Sequence, residues 1–257
     1  MSSLKLTVLG SGTSMGVPTL ACHCAVCEST DPHDKRTRPS VLLAYGGHNV
    51  VIDTTPDFRY QALRAHIDHL DAVIYTHAHA DHILGLDDIR PYNVKQKGIV
   101  PIYASAETLA LLRRQFAYIF DETPSESSLP LIDLHPIDGP FDLFGTKIIP
   151  VPAMHGSQPV LGFRIGSVGY LTDFSRIPDS SKALLGGLDH FILDAMRYVP
   201  HPTHSTIEQS LALVRELKPK HAWFTHICHD VSHEEANARL PEKVRLAYDG
   251  LEFEVPL

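Results

Sequence analysis

Thr76-His77-Ala78-His79-Ala80-Asp81-His82 decides how this chain is read. Three imidazoles and a carboxylate fall within six positions, between the apolar run Ala72–Thr76 and the segment Ile83-Leu84-Gly85-Leu86. Neutral imidazoles and carboxylates suit zinc, manganese or iron, and a tight turn at a strand's end can aim them at two neighbouring metal ions. A surface loop that is merely rich in histidine needs neither the alternate spacing of His77 and His79 nor a strand behind it.

Outward from this turn, other candidates stand where apolar runs end. His155 lies in Ala153-Met154-His155-Gly156, Asp173 in Leu171-Thr172-Asp173-Phe174, and His226 in Phe224-Thr225-His226-Ile227. Upstream, Asp53 closes Val51-Ile52-Asp53-Thr54. Any one of these alone is an ordinary loop residue; the information is in the ordered set.

The runs themselves are rich in β-branched and apolar residues and predict strands over Leu4–Leu9, Val41–Ala44, Val50–Asp53, Ala72–Thr76, Ile148–Val151, Phe163–Ile165, Tyr170–Thr172, Phe191–Asp194, Ala222–Thr225 and Phe253–Val255. Helical periodicity follows Pro56, placed at N1, with Phe58, Ala62, Leu63, Ala65 and Ile67 as the apolar stripe, and recurs over about Ala106 to Ile119. Ser205-x-x-Glu208 and Ser232-x-x-Glu235 read as capping boxes. About Asp121 to Pro140 reads as an irregular loop between two halves of one domain. Strands in both halves with interspersed helices suit sheets sandwiched between helix layers.

A chain of 257 residues with 44% hydrophobic content can bury a sizeable core. Its net charge of -8 argues against a broad basic surface for long nucleic acid, which needs Lys and Arg to displace counterions. A small anionic substrate remains compatible where metals supply the positive charge. The N-terminus alternates like a strand and lacks the apolar run of a signal peptide, and no stretch approaches the roughly 20 apolar residues of a membrane span, so a cytoplasmic location without membrane contact is expected. Three of the four cysteines crowd into Cys22-His23-Cys24-Ala25-Val26-Cys27, a spacing that in a cytosolic protein favours metal ligation. A tetrahedral structural zinc needs a fourth ligand. Composition nominates Cys228, the remaining cysteine; reactive or redox thiols are the competing reading.

The turn His77–His82 resembles the HxHxDH signature of the metallo-β-lactamase superfamily, and His155, Asp173 and His226 follow in that superfamily's order. Within it, the chain resembles the PhnP-like phosphodiesterases, typified by a phosphoribosyl cyclic phosphodiesterase of the carbon-phosphorus lyase pathway. That likeness covers the opening Gly10-Ser11-Gly12-Thr13-Ser14-Met15-Gly16-Val17-Pro18, the CxCxxC, the metal set, His204 before a helix, and Tyr248-Asp249-Gly250.

The resemblance implies an α/β fold, an αββα sandwich of two mixed β-sheets flanked by helices. It implies one domain over 1–257, with a cysteine-rich zinc loop at about 20–30. His77, His79 and His155 would bind one metal, Asp81, His82 and His226 the other, and Asp173 would bridge them. Asp53 would orient a ligand histidine. His229 rather than Cys228 would complete the zinc site. His204 would bind phosphate and act as general acid, which makes it, with Asp81, a catalytic candidate. Arg90 is a candidate for substrate contact or for a surface salt bridge.

The activity implied is hydrolysis of a small, cyclic phosphodiester by hydroxide held between two divalent ions, manganese or zinc, with iron also compatible. A homodimer is implied by the resemblance alone. Rival readings on the same fold are an RNA- or DNA-processing nuclease, against which the charge counts, and a thioester hydrolase or iron-dependent enzyme. A metal-stabilised binding module is disfavoured because no ligand of the set is missing.

Overall fold

Successive side chains of a strand point to opposite faces, so an apolar run without polar interruptions must be covered on both sides. The computed structural model describes residues 3–121 and 127–257, and its strands obey this rule. The first half contains β1 (Ser3–Gly10), β2 (Ser40–Tyr45), β3 (His48–Ile52), α1 (Phe58–Arg64), β4 (Ala72–Ile74), α2 (Ala80–Ile83), α3 (Arg90–Gln96), β5 (Val100–Ala104), α4 (Ala106–Gln115), α5 (Ala117–Phe120) and β6 (Ile132–Pro136). The second contains β7 (Phe141–Leu143), β8 (Thr146–His155), β9 (Gln158–Ile165), β10 (Val168–Leu171), α6 (Asp179–Leu184), β11 (His190–Asp194), α7 (Ile207–Leu217), β12 (His221–Thr225), α8 (His233–Arg239), β13 (Val244–Leu246) and β14 (Glu252–Pro256).

Among the described residues the strands form two seven-stranded sheets, in the orders β14-β1-β2-β3-β4-β5-β6 and β13-β12-β11-β10-β9-β8-β7. Each is mixed: β14 to β3 pair antiparallel and β3 to β6 parallel, while β7 to β10 pair antiparallel and β10 to β13 parallel. Val50, Ile52, Ala72 and Ile74 meet Phe163, Tyr170 and Ile192 in a core shared by the two sheets. The alternate residues Val51, Val73 and Tyr75 pack outward with Phe58 and Leu112 of α1 and α4, and Leu171, Leu193 and Phe224 do so with Leu213 and Ala236 of α7 and α8. The chain thus has the expected αββα layering.

Several local expectations need correction. Helix α1 begins at Phe58 with Asp57 as its cap, so Pro56 lies before the helix. The periodic segment from Ala106 breaks at Phe116 into α4 and α5. The capping box of α7 is formed by Thr206 and Gln209, one residue beyond the expected pair, because the Ser205 hydroxyl is engaged with Ser210 at 2.7 Å. Of the irregular stretch expected over Asp121 to Pro140, residues 122–126 lie outside the described residues, and Ile132–Pro136 is strand β6, paired parallel with β5.

Candidate metal centre

Parallel strands deliver their C-terminal ends to one edge, and this edge gathers the polar residues. Asp53 follows β3, His77 follows β4, His155 ends β8, Asp173 follows β10, Asp194 ends β11 and His226 follows β12. Asp53, Asp173 and His226 have φ of 65°, 53° and 59°. Left-handed backbone is uncommon for residues with a Cβ and concentrates where a site over-determines it. Gly85 closes the metal turn: its N–H donates to Thr54 O at 2.9 Å, and a Cβ there would sit 2.1 Å from Thr55 O.

Two adjoining main groups of described residues could each hold a metal ion, His77 with His79 and His155, and Asp81 with His82, Asp173 and His226, the donor atoms of each lying within 4.8 Å of one another; a smaller group joins Asp194 and His204 to His226. Asp173 stands between the two main groups. Its Oδ1 is 3.4 Å from His82 Nε2, its Oδ2 is 3.3 Å from His226 Nε2, and it also groups with His155 and His204.

Buried hydrogen bonds orient the imidazoles. Asp53 accepts the Thr76 amide at 2.9 Å, the Thr76 hydroxyl at 2.8 Å and His82 Nδ1–H at 2.8 Å. With its proton given to Asp53, the Thr76 hydroxyl accepts His77 Nδ1–H at 2.9 Å. His155 Nδ1–H donates to Thr203 O at 2.7 Å. With Nδ1–H committed in each ring, Nε2 of His77, His82 and His155 is the nitrogen that faces the site. Buried His82 Nε2 and His226 Nε2 have no hydrogen-bond partner, the condition of atoms waiting for a Lewis acid.

Electrostatics point the same way. Burial would raise the Asp173 and Asp81 carboxyls, but the neighbouring histidines His82 and His226 outweigh it and hold both well below the usual carboxylate range. Burial alone would depress His82, yet Asp81, Asp173 and Asp53 lift it well above its ordinary value. The site therefore concentrates negative charge that calls for a cation. Burial keeps His77 and His155 neutral, His155 at about 4, as metal ligands must be. These residues fit divalent metal ions.

At the rim, His204 Nδ1 lies 2.8 Å from Asp194 Oδ2, and its ring stacks on His226 with centroids 4.6 Å apart. Burial opposes its charge, but Asp194 and the other carboxylates raise its pKa above the ordinary histidine value. Sequence reasoning did not single out Asp194, although it ends an apolar run just as Asp53 does. A cavity of about 180 Å³ opens beside His204 and His226, lined also by Ser14, Arg197, His201 and His229. Arg90 is elsewhere, bound to Asp87 at 2.6 Å and to Ser128 O at 3.1 Å, the salt-bridge alternative of its two readings.

Cys22, Cys24, Cys27 and His229 form a further cluster. His229 Nδ1 is 3.3 Å from Cys22 Sγ and 3.5 Å from Cys24 Sγ. The Cys27 amide and then His229 draw the Cys24 thiol down to about 6, while burial pushes Cys27 up to about 11. Cys228 is not part of the cluster; its sulfur accepts the Asp230 amide at 3.4 Å, and burial raises it to about 11.

This layering and these paired clusters define a class, and the chain belongs to the β-lactamase superfamily, whose domain model matches residues 48–227. A new diphosphatase from the PhnP family, known from its crystal structure, is 52% identical with a TM-score of 0.94 over 99% of this chain and 98% of that one, which makes the present chain a PhnP-family member. An octanoyltransferase of Porphyromonas gingivalis is 39% identical over 97% of this chain but 51% of its own length, so the chain spans about half of that relative. A ribonuclease Z of Mycobacterium sp. (strain KMS) is 26% identical over 63% of this chain and 57% of its own length. Zn²⁺-bound PqqB from Methylobacterium extorquens, at 19% identity over 97% of this chain and 99% of that one, with a TM-score of 0.76, shares the fold. The grouped donors of this family member could hold divalent metal ions.

Proposed function

We propose that the protein hydrolyses a small phosphodiester, cyclic in its natural form, with two divalent ions held by His77, His79 and His155 and by Asp81, His82 and His226. The observation that carries this reading is Asp173, whose carboxylate groups with donors of both clusters. Two such ions, when bound, lower the pKa of a water toward neutrality and neutralise charge at a phosphoryl group undergoing in-line displacement. Around them the chain supplies orientation: Asp53 and Thr76 fix His82 and His77, and Thr203 O fixes His155. His204 binds the phosphoryl group and, with Nδ1–H held by Asp194, keeps a proton on Nε2 for the departing oxygen. Cys22, Cys24, Cys27 and His229 hold one structural zinc that joins the N-terminal loop to the segment after His226, the whole chain acting as one domain.

Small-molecule substrates, a homodimer and a cytoplasmic setting without long nucleic acid complete the proposal. No helix among the described residues is long and apolar enough to cross a membrane. A second reading, cleavage of a diphosphate linkage, is favoured by the 52% identity to a diphosphatase. The test loads the protein with manganese or zinc and compares a bis-aryl phosphodiester, cyclic ribose phosphates, 2',3'-cyclic nucleotides, a diphosphate diester, an aryl monophosphate, a thioester and an oligonucleotide. Turnover of small diesters with the monoester almost untouched supports the main reading, and turnover confined to the diphosphate supports the second. Faster turnover of the monoester, or turnover of the thioester or oligonucleotide alone, overturns both.

A further inference from the structure

Asp249 belongs to no ligand cluster, yet its side chain is 5% exposed and its carboxylate takes five donors. Oδ1 accepts the Ser11 amide at 2.9 Å and the Ser11 hydroxyl at 2.8 Å. Oδ2 accepts the Thr37 amide at 2.9 Å, the Thr37 hydroxyl at 2.6 Å and Arg64 Nη1 at 3.1 Å. Ser11 in turn holds the far side of the metal centre: its carbonyl accepts the Ile227 amide at 2.9 Å, and Gly12 bridges Ile227 in parallel. Ile227 directly follows His226, whose left-handed φ of 59° is a conformation a histidine must be held in. The rest of that segment has other anchors, Met196 O for the Cys228 amide at 3.0 Å and Arg36 for the carbonyls of Cys228 and Val231 at 3.0 and 2.8 Å. Directly before His226, Thr225 O accepts the Ala195 amide at 3.1 Å; directly after it, the Ser11 carbonyl is the anchor.

We infer that Asp249 is a positioning residue for the metal ligand His226, acting through Ser11 and Ile227 across the junction between the chain's two ends. The inference rests on the proposed role of His226 in the second ion's site. Replacing Asp249 by Asn turns one acceptor oxygen into an NH2 donor that faces donors, so the Ser11 turn must shift and the Ile227 amide shifts with it. Ligand-orienting partners typically contribute about 10- to 100-fold in metal affinity.

The experiment titrates cobalt(II) into metal-free wild type, Asp249→Asn, Ser11→Ala and Thr7→Val, followed by d–d absorption and by the thiolate charge-transfer band, with thermal unfolding in parallel. Thr7→Val is the control: it removes the Thr7 hydroxyl bond to Glu252 at 3.0 Å, which ties the same terminal strands without touching Ser11. Wild type should take two ions outside the thiolate site. Asp249→Asn should weaken one of them by about 10- to 100-fold and leave the other and the thiolate band in place. Ser11→Ala loses one donor and should shift affinity less, in the same direction, which covers the case of an Asp249 variant that does not fold. Thr7→Val should lose stability without changing either affinity. Unchanged affinities in Asp249→Asn and Ser11→Ala, or losses matched by Thr7→Val, overturn the inference. A wild type that takes only one ion outside the thiolate site refutes the two-ion reading, and the inference is then judged on whether Asp249→Asn weakens that ion more than Thr7→Val does.

Discussion

His204→Ala should keep the fold and the bound metals but lose turnover on poor leaving groups. The side chain contacts ligand rings without belonging to the two main clusters, and its proton is held by the buried Asp194 at 2.8 Å. A positioned general acid contributes about 10²- to 10⁴-fold, which at 1.36 kcal/mol per tenfold is about 2.7–5.4 kcal/mol of barrier. A diester with a very acidic leaving alcohol departs without a proton, so its loss should be far smaller. Asp194 raises the pKa of His204 against the opposing effect of burial, so its acid form persists to higher pH than that of an ordinary histidine and activity should fall as pH climbs through that raised value. Asp194→Asn removes the main partner that raises it, and should bring this alkaline limb to lower pH. The assay is turnover against pH and leaving-group pKa for both variants, with metal content measured on the same samples. Equal losses for good and poor leaving groups refute proton donation and leave phosphate binding; unchanged activity for both refutes any role for His204.

Asp173→Ala should abolish activity and release metal, because this carboxylate stands between both clusters; metal analysis alongside the assay would expose a variant that keeps its full metal content and turnover, contrary to expectation. His229→Ala should lose zinc from the cysteine cluster while Cys228→Ala keeps it, and equal zinc contents in the two would contradict the assignment. Burial, with His221 adding to it, pushes His190 down to about 4, below the ordinary 6.5 of an unfolded histidine. The unfolded chain therefore binds more protons between these values, so the His190 contribution is present above about 6.5 and is lost as pH falls toward 4. Trp223, the chain's single tryptophan, donates to His190 Nδ1 at 3.0 Å, so its fluorescence during thermal unfolding should report this slope, and His190→Gln should flatten it. Thr206→Ala should cost about 1 kcal/mol through the α7 cap, whereas an equal loss in Glu208→Ala would favour the displaced capping pair.

The grouping of His77, His79, Asp81 and His82 was legible because they are adjacent in sequence, and that of His155, Asp173 and His226 because each terminates an apolar run. The same signal was present at Asp194, which ends Phe191-Ile192-Leu193. What was missing was its partner, since only folding brings His204 back over β11. Strand β6 hid behind Pro130, Asp133 and His135, although Ile132 and Leu134 alternate and pack against the α-helical layer. Ser205-Thr206-Ile207-Glu208-Gln209 supports two overlapping capping boxes, and Ser210 decides between them by engaging the Ser205 hydroxyl. Asp249 was visible only as part of a motif, because its donors come from Ser11, Thr37 and Arg64, far away along the chain.

Whether two catalytic ions act on a phosphodiester is decided by stepwise addition of manganese or zinc to metal-free protein, with bound metal per chain and bis-aryl phosphodiester turnover measured at each step. Three ions per fully active chain are expected, one in the cysteine cluster, with turnover appearing only as the last two sites fill. Full activity with a single ion per chain, or no diester turnover with all three bound, would contradict the two-ion reading.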